Sequence, residues 1–164
     1  MIQRLQSLLL LLAVVAYVMM FFYPIATVTE FTQLQNERLE TDYYELFAMG
    51  IEDPTESSVA HLNQTSSLPV LILVSVLILL VVYTILRYQY RTQQLKLVKL
   101  SILLNIILIA GIFLNYPQYL TDFDLSISPA SGAYFPLISV ALLIVANRYI
   151  LKDEKLVKSV DRLR

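Results

Sequence analysis

The sequence predicts an all-α membrane protein: a bundle of four transmembrane helices with a small antiparallel β-sheet cap on the non-cytoplasmic side. Three observations carry this. Of the 164 residues 57% are hydrophobic and only 15% charged, a balance outside that of ordinary soluble domains. Four apolar stretches each approach the roughly 20 residues that cross about 30 Å of hydrocarbon at about 1.5 Å per residue. The charges are sorted along the chain, so that a net charge of −1 conceals two oppositely charged sets of segments.

Span one covers residues 5–23 (LQSLLLLLAVVAYVMMFFY). It is expected to stay as a signal anchor, because its apolar run exceeds the roughly 7–15 residues of a signal-peptide core and no small-residue cleavage site stands out. Spans two, three and four cover residues 68–88, 95–116 and 133–151. Between them lie outer segments 24–67 and 117–132 and an inner turn 89–94, and a basic tail, 152–164, follows. Proline punctuates the outer ends, with Pro24 after span one, Pro69 opening span two, Pro117 closing span three and Pro136 early in span four.

The first outer segment is too β-branched for a flexible linker. Residues 27–34 (TVTEFTQL) and 41–49 (TDYYELFAM) read as two strands around an Asn36-Glu37-Arg38 turn. Residues 121–128 (TDFDLSIS) alternate apolar and polar, the pattern of a half-buried strand. A third strand would support a hairpin that is marginal alone.

Orientation follows from Lys and Arg near the span ends. Arg4, Arg87, Arg91, Lys96, Lys99, Arg148, Lys152, Lys155, Lys158, Arg162 and Arg164 lie on one side, eleven of the twelve basic residues. The opposite segments hold Arg38 and ten of the thirteen acids. Both termini are therefore expected in the cytoplasm. Tyrosines fit the interfaces, with Tyr23, Tyr116, Tyr119 and Tyr134 outside and Tyr88, Tyr90 and Tyr149 inside.

Chemistry is sparse. With no cysteine, disulfides, thiol nucleophiles and thiolate metal sites are excluded. The single histidine, His61, lies outside the spans, so no haem is held between helices. No span buries the carboxylate that a proton-coupled transporter requires. Asp122 and Asp124 read as the solvated face of a strand rather than a cation site, and Asn63-Gln64-Thr65 reads as a chance match to a glycosylation pattern. No catalytic residue, metal, cofactor or nucleic acid is expected.

Polar residues inside the spans are the better candidates. Ser101, Asn105 and Asn115 share one stripe of span three with Leu108 and Ile112, and Asn105 is expected near the bilayer centre. Gly132, Ser139 and Ala146 recur every seven residues in span four, a narrow face for close helix approach, and Asn147 lies beside it. Ser101, Asn105, Asn115, Ser139 and Asn147 are thus candidate interhelical or lipid contacts, with interhelical hydrogen bonding favoured for Asn105.

If the fourth helix continues past Leu151, then Leu156, Val157, Val160 and Leu163 line one side and the basic residues spread over the rest. Lys152, Lys155, Lys158, Arg162 and Arg164 are candidate contacts to an anionic inner leaflet, although orientation alone would use the same charges. The start MIQRLQSLLLLLA, the end ANRYILKDEKLVKSVDRLR and the run FPLISVALLIVANR together resemble a family of four-pass inner-membrane proteins from Bacteroidota, domain-of-unknown-function family 4293. The resemblance implies a bacterial inner membrane with the outer segments in the periplasm, and supplies no catalytic residues. The expected role is a non-enzymatic interaction or scaffold protein, whose partners are the bilayer and a membrane protein or a second copy of the chain. The alternative is a binder or carrier of lipid or another hydrophobic small molecule.

Overall fold

The computed structural model describes residues 2–34, 37–49, 51–52, 68–88, 90–119 and 125–161. In chain order these form α1 (Ile2–Met19), β1 (Ala26–Leu34), β2 (Glu37–Leu46), β3 (Ile51–Glu52), α2 (Leu68–Leu86), α3 (Arg91–Tyr119), β4 (Leu125–Pro129), a 3-10 turn (Ser131–Tyr134) and α4 (Phe135–Asp161). The protein is mostly helical: α1 packs on α2 and α4, and α3 packs on the same two helices. Among the described residues, three helical segments are long and apolar enough to cross a membrane, Leu68–Leu86, Arg91–Phe113 and Ser131–Val157.

The interior of each helix is a stripe at alternating spacings of three and four. Leu10, Ala13, Tyr17 and Met20 are buried on α1 and the turn after it, and Val74, Leu77, Val81 and Thr84 on α2. Gln94, Val98, Ser101, Asn105, Leu108 and Ile112 are buried on α3, and Ser139, Leu143, Ala146 and Ile150 on α4. A repeat of about 3.5 residues keeps one seam of each helix against its neighbours.

The helix bounds depart from the expected spans in ways with local causes. The described apolar part of α1, Leu5–Met19, is shorter than span one. After Met19 the chain tightens, with N–H groups of Met20, Phe21 and Phe22 donating to the carbonyls of Tyr17, Val18 and Met19, as helix ends commonly do. α3 starts at Arg91 and ends at Tyr119, so residues 91–94 of the expected turn are helical. Pro117 lies within the last turn instead of closing the helix, and α3 continues two residues past it. α4 follows the 3-10 turn and runs unbroken into the expected tail.

The sheet has the order β3-β2-β1-β4, and every pairing is antiparallel. Leu34 pairs with Glu37 and Gln33 with Arg38, so Glu37 and Arg38 belong to β2 rather than to a turn. The register shifts between Glu30, opposite Asp42, and Phe31, opposite Glu40. Thr41 is the extra residue of a bulge, which bends and twists the strand. β2 stops at Leu46, short of the expected end at Met49. β4 pairs with the first half of β1, where the Thr27 and Ser128 hydroxyls meet at 2.6 Å. Its expected start, residues 121–124, lies outside the described residues.

Strand and helix ends are joined by one close backbone approach. The Gly132 N–H donates to the Pro24 carbonyl at 2.7 Å, and the Ala130 N–H to the Ile25 carbonyl at 3.0 Å. A Cβ on Gly132 would stand 2.6 Å from the Pro24 oxygen and 2.7 Å from that of Tyr23. The close neighbour of Gly132 is therefore the chain leaving α1, not a second helix face. At the opposite end Arg91 Nη1 reaches Asp153 Oδ2 at 2.9 Å and the Asp153 carbonyl at 3.3 Å. The carboxylate contact is charge pairing at an angle outside hydrogen-bond geometry.

Gly132→Ala should lower unfolding stability by roughly 1–3 kcal/mol, because the added carbon meets backbone that cannot rotate away. Gly111, on α3, has nothing within 4 Å of an added Cβ, so Gly111→Ala should raise stability by about 0.8–1 kcal/mol. Thermal unfolding of the two variants in one detergent measures both.

Candidate functional site

A few polar side chains buried among helices with apolar outer faces define the site. Large apolar side chains face outward along all four helices: Leu8 and Leu11 on α1, Ile72 and Leu79 on α2, Leu103 and Ile106 on α3, Ile138 and Ile144 on α4. Gln6, Thr84, Gln94, Ser101, Asn105 and Ser139 are buried between the helices. A buried polar group is costly unless it finds a partner, so the hydrogen bonds decide what each one does.

Several are satisfied within their own helix. Thr84 Oγ1 donates to the Leu80 carbonyl at 2.7 Å, Ser101 Oγ to that of Leu97 at 2.9 Å and Ser139 Oγ to that of Phe135 at 2.9 Å. Asn105 reaches across instead, its Nδ2 donating to the Pro136 carbonyl of α4 at 3.2 Å. Pro136 is the second residue of α4, so Asn105 lies level with the sheet-proximal end of that helix. Asn105 is also the middle residue of α3, which runs on past the start of α4.

Tyr17 of α1 completes the group. Its hydroxyl neighbours the Ser139 and Asn105 side chains but forms no hydrogen bond of proper geometry, and Asn105 Oδ1 is likewise buried without a partner. A second set lies deeper. The Oδ1 of half-buried Asn147 and the Nε2 of Gln6 are also buried without partners. Gln6 precedes Tyr17 by eleven residues and Gln94 precedes Asn105 by the same number, about 16 Å along either helix. One level of polar side chains therefore underlies the other.

The remaining candidates are distributed. Asn115 and Lys158 lie on α3 and α4 with their side chains outside the described residues, as are Arg162, Arg164, His61, Asp122 and Asp124. Lys152 and Lys155 are exposed on α4, whose helix continues to Asp161. A tail lying flat on a membrane would need a bend after Leu151, and no break interrupts the helix there. Sequence reasoning missed Tyr17, Gln6, Gln94 and Thr84. The available signal was the eleven-residue interval between Gln6 and Tyr17, three helical turns within an apolar run.

Apolar helices with an apolar core that encloses a few polar side chains, joined at one end to an antiparallel sheet, define the class of fold. Residues 2–163 match the family model described as Domain of unknown function (DUF4293), and the chain belongs to that family. No curated protein matches it.

Asn105→Leu should cost roughly 1 kcal/mol, because it removes the interhelical bond while preserving apolar volume. Ser101→Ala should cost less, since Ser101 bonds only within its own helix. Unfolding in detergent should rank them so; equal losses would mean that the Asn105–Pro136 bond contributes nothing specific.

Proposed function

We propose that the chain is an integral membrane protein that crosses a bacterial inner membrane four times as a four-helix bundle and acts through contacts rather than catalysis. The observation that carries this reading is the outward apolar face on every helix, with Leu79 and Leu86 each 70% exposed. Each such side chain left in water would forfeit about 1.5–3 kcal/mol. α1 crosses with the help of the tight turn that follows it, which extends its apolar length to Phe22. The inner-membrane assignment draws on the likeness of both chain ends to the family.

Both termini are cytoplasmic in this reading, supported by the one-sided basic residues, and the sheet faces the periplasm. Tyr88, Tyr90 and Tyr149 then lie at the inner interface, with Tyr23 and Tyr134 at the outer one. Arg87, over the rings of Tyr83 at 5.2 Å and Tyr90 at 5.6 Å, marks the inner boundary. Lys152 and Lys155 meet inner-leaflet headgroups along the flank of α4 as it leaves the membrane, each contributing about 1 kcal/mol on an anionic surface. The partner is another membrane protein or a second copy of the chain.

The second reading is a binder or carrier of lipid or another hydrophobic small molecule. The unpartnered Tyr17 hydroxyl and Asn105 Oδ1 favour it. Affinity purification in a mild detergent, with mass spectrometry of proteins and lipids, separates the two. The interaction reading expects one protein, or the chain itself, in fixed ratio and lipids in bulk proportion. A single lipid class in fixed ratio, without a protein, would replace it with the second reading.

A further inference from the structure

Arg87 stands where α2 gives way to the turn before α3, and two tyrosines hold its guanidinium. Its Nε donates to the Tyr83 hydroxyl at 2.8 Å. Its Cζ lies over the rings of Tyr83 at 5.2 Å and Tyr90 at 5.6 Å, both within cation–π range. The backbone fixes the rings in turn: the Arg87 N–H donates to the Tyr83 carbonyl at 3.1 Å, and the Tyr90 N–H to the Arg87 carbonyl at 3.0 Å. A half-buried arginine is thereby presented in one orientation rather than as a mobile charge.

The cluster has donors left and nothing to receive them. The bond to Tyr83 occupies Nε alone, so both Nη groups keep their protons, and the Tyr83 hydroxyl, accepting in that bond, keeps its own. Among the described residues no acid is in ion-pair contact with Arg87, whereas neighbouring Arg91 is paired with Asp153. Every remaining position is a donor, so the cluster cannot close on itself and suits a ligand that only accepts and is negatively charged. The chain supplies few such groups there, since the eleven basic residues on that side share it with Asp153, Glu154 and Asp161.

We propose that Arg87, Tyr83 and Tyr90 form a binding site for the phosphate diester of an inner-leaflet phospholipid, whose free oxygens accept from the Arg87 Nη groups and the Tyr83 hydroxyl. A planar fork matches two phosphate oxygens, which a lysine would meet as a point charge. Orientation in the membrane and the end of α2 need only a cation; the bond to Tyr83 and the two rings are what arginine adds. Leu79, Tyr83 and Leu86 are all exposed at spacings of four and three, one stripe of α2, so acyl chains below the phosphate would run along Leu79 and Leu86. The inference rests on the membrane reading above.

Solid-state NMR of the full-length protein, labelled at the arginine guanidinium carbons, tests it in vesicles of phosphatidylglycerol and phosphatidylethanolamine in phosphate-free buffer. Lipid phosphorus should dephase the carbon resonance that disappears in Arg87→Lys. Tyr83→Phe should lose most of that dephasing while the other arginine resonances keep theirs; Tyr90→Leu takes its place if Tyr83→Phe does not fold. No dephasing of Arg87, or dephasing unchanged by the tyrosine substitution, overturns the proposal. Dephasing seen only with inorganic phosphate in lipid-free detergent would overturn it in favour of a free anion. Alkaline washing of the vesicles separates the two readings: protein that is retained with Arg87 undephased sinks the site alone, and protein that is released sinks the membrane reading and the site together.

Discussion

Everything else in this fold depends on the outward apolar faces of its helices. Leu8, Leu79, Leu103 and Ile138 point away from the core as plainly as Leu10, Leu77, Leu108 and Leu143 point into it. A water-soluble helix buries one stripe and solvates the rest, and here large apolar side chains are exposed on the outer face of each of the four described helices. In the membrane setting proposed above, hydrophobic burial no longer draws helix to helix, because lipid tails are as apolar as leucine. Side-chain packing and the few interior polar groups must hold the helices in register.

The structure meets that demand at three levels. At the end distal to the sheet, Arg91 and Asp153 tie the start of α3 to α4. Further along, Asn105 bonds the backbone of α4 at Pro136, with Tyr17 beside it from α1. Beyond the helix ends, Gly132 admits the backbone of Tyr23 and Pro24, and the strands flanking that contact pair as β1 and β4. The sheet is thus continuous with the helical layer: it closes the α1 exit onto the α4 entrance, and Tyr23 packs on Phe135 with ring centroids 5.4 Å apart.

Much of this was legible in the sequence. Apolar length located the helices, and alternation located β4. The stripe through Ser101, Asn105, Leu108 and Ile112 named a buried face of α3, because polar residues in an apolar helix report where protein lies. The rest was hidden for physical reasons. Leu8 and Leu10 are the same residue on opposite faces, so apolar periodicity cannot assign the interior of α1. Glu37 and Arg38 have turn-like composition, but pairing with β1 recruits them into a strand. The level of Asn105 depends on where α4 begins relative to α3, a tertiary quantity. The meeting of Tyr17 with Ser139, more than a hundred residues away, has no local signature.

The central claim is that the outward apolar faces contact hydrocarbon. The chain contains no cysteine, so single cysteines can be placed without removing native ones. Leu11, Val76, Leu103 and Ile138 sample the faces of the four helices, with Met49 at the sheet end and Thr92 at the other. The decisive measurement is labelling by a membrane-impermeant maleimide in intact and then permeabilised cells. The four face positions should stay unlabelled in both, Met49 should label in intact cells, and Thr92 only after permeabilisation. Ready labelling of the face positions in intact cells, or recovery of the protein in the soluble fraction, would contradict the account.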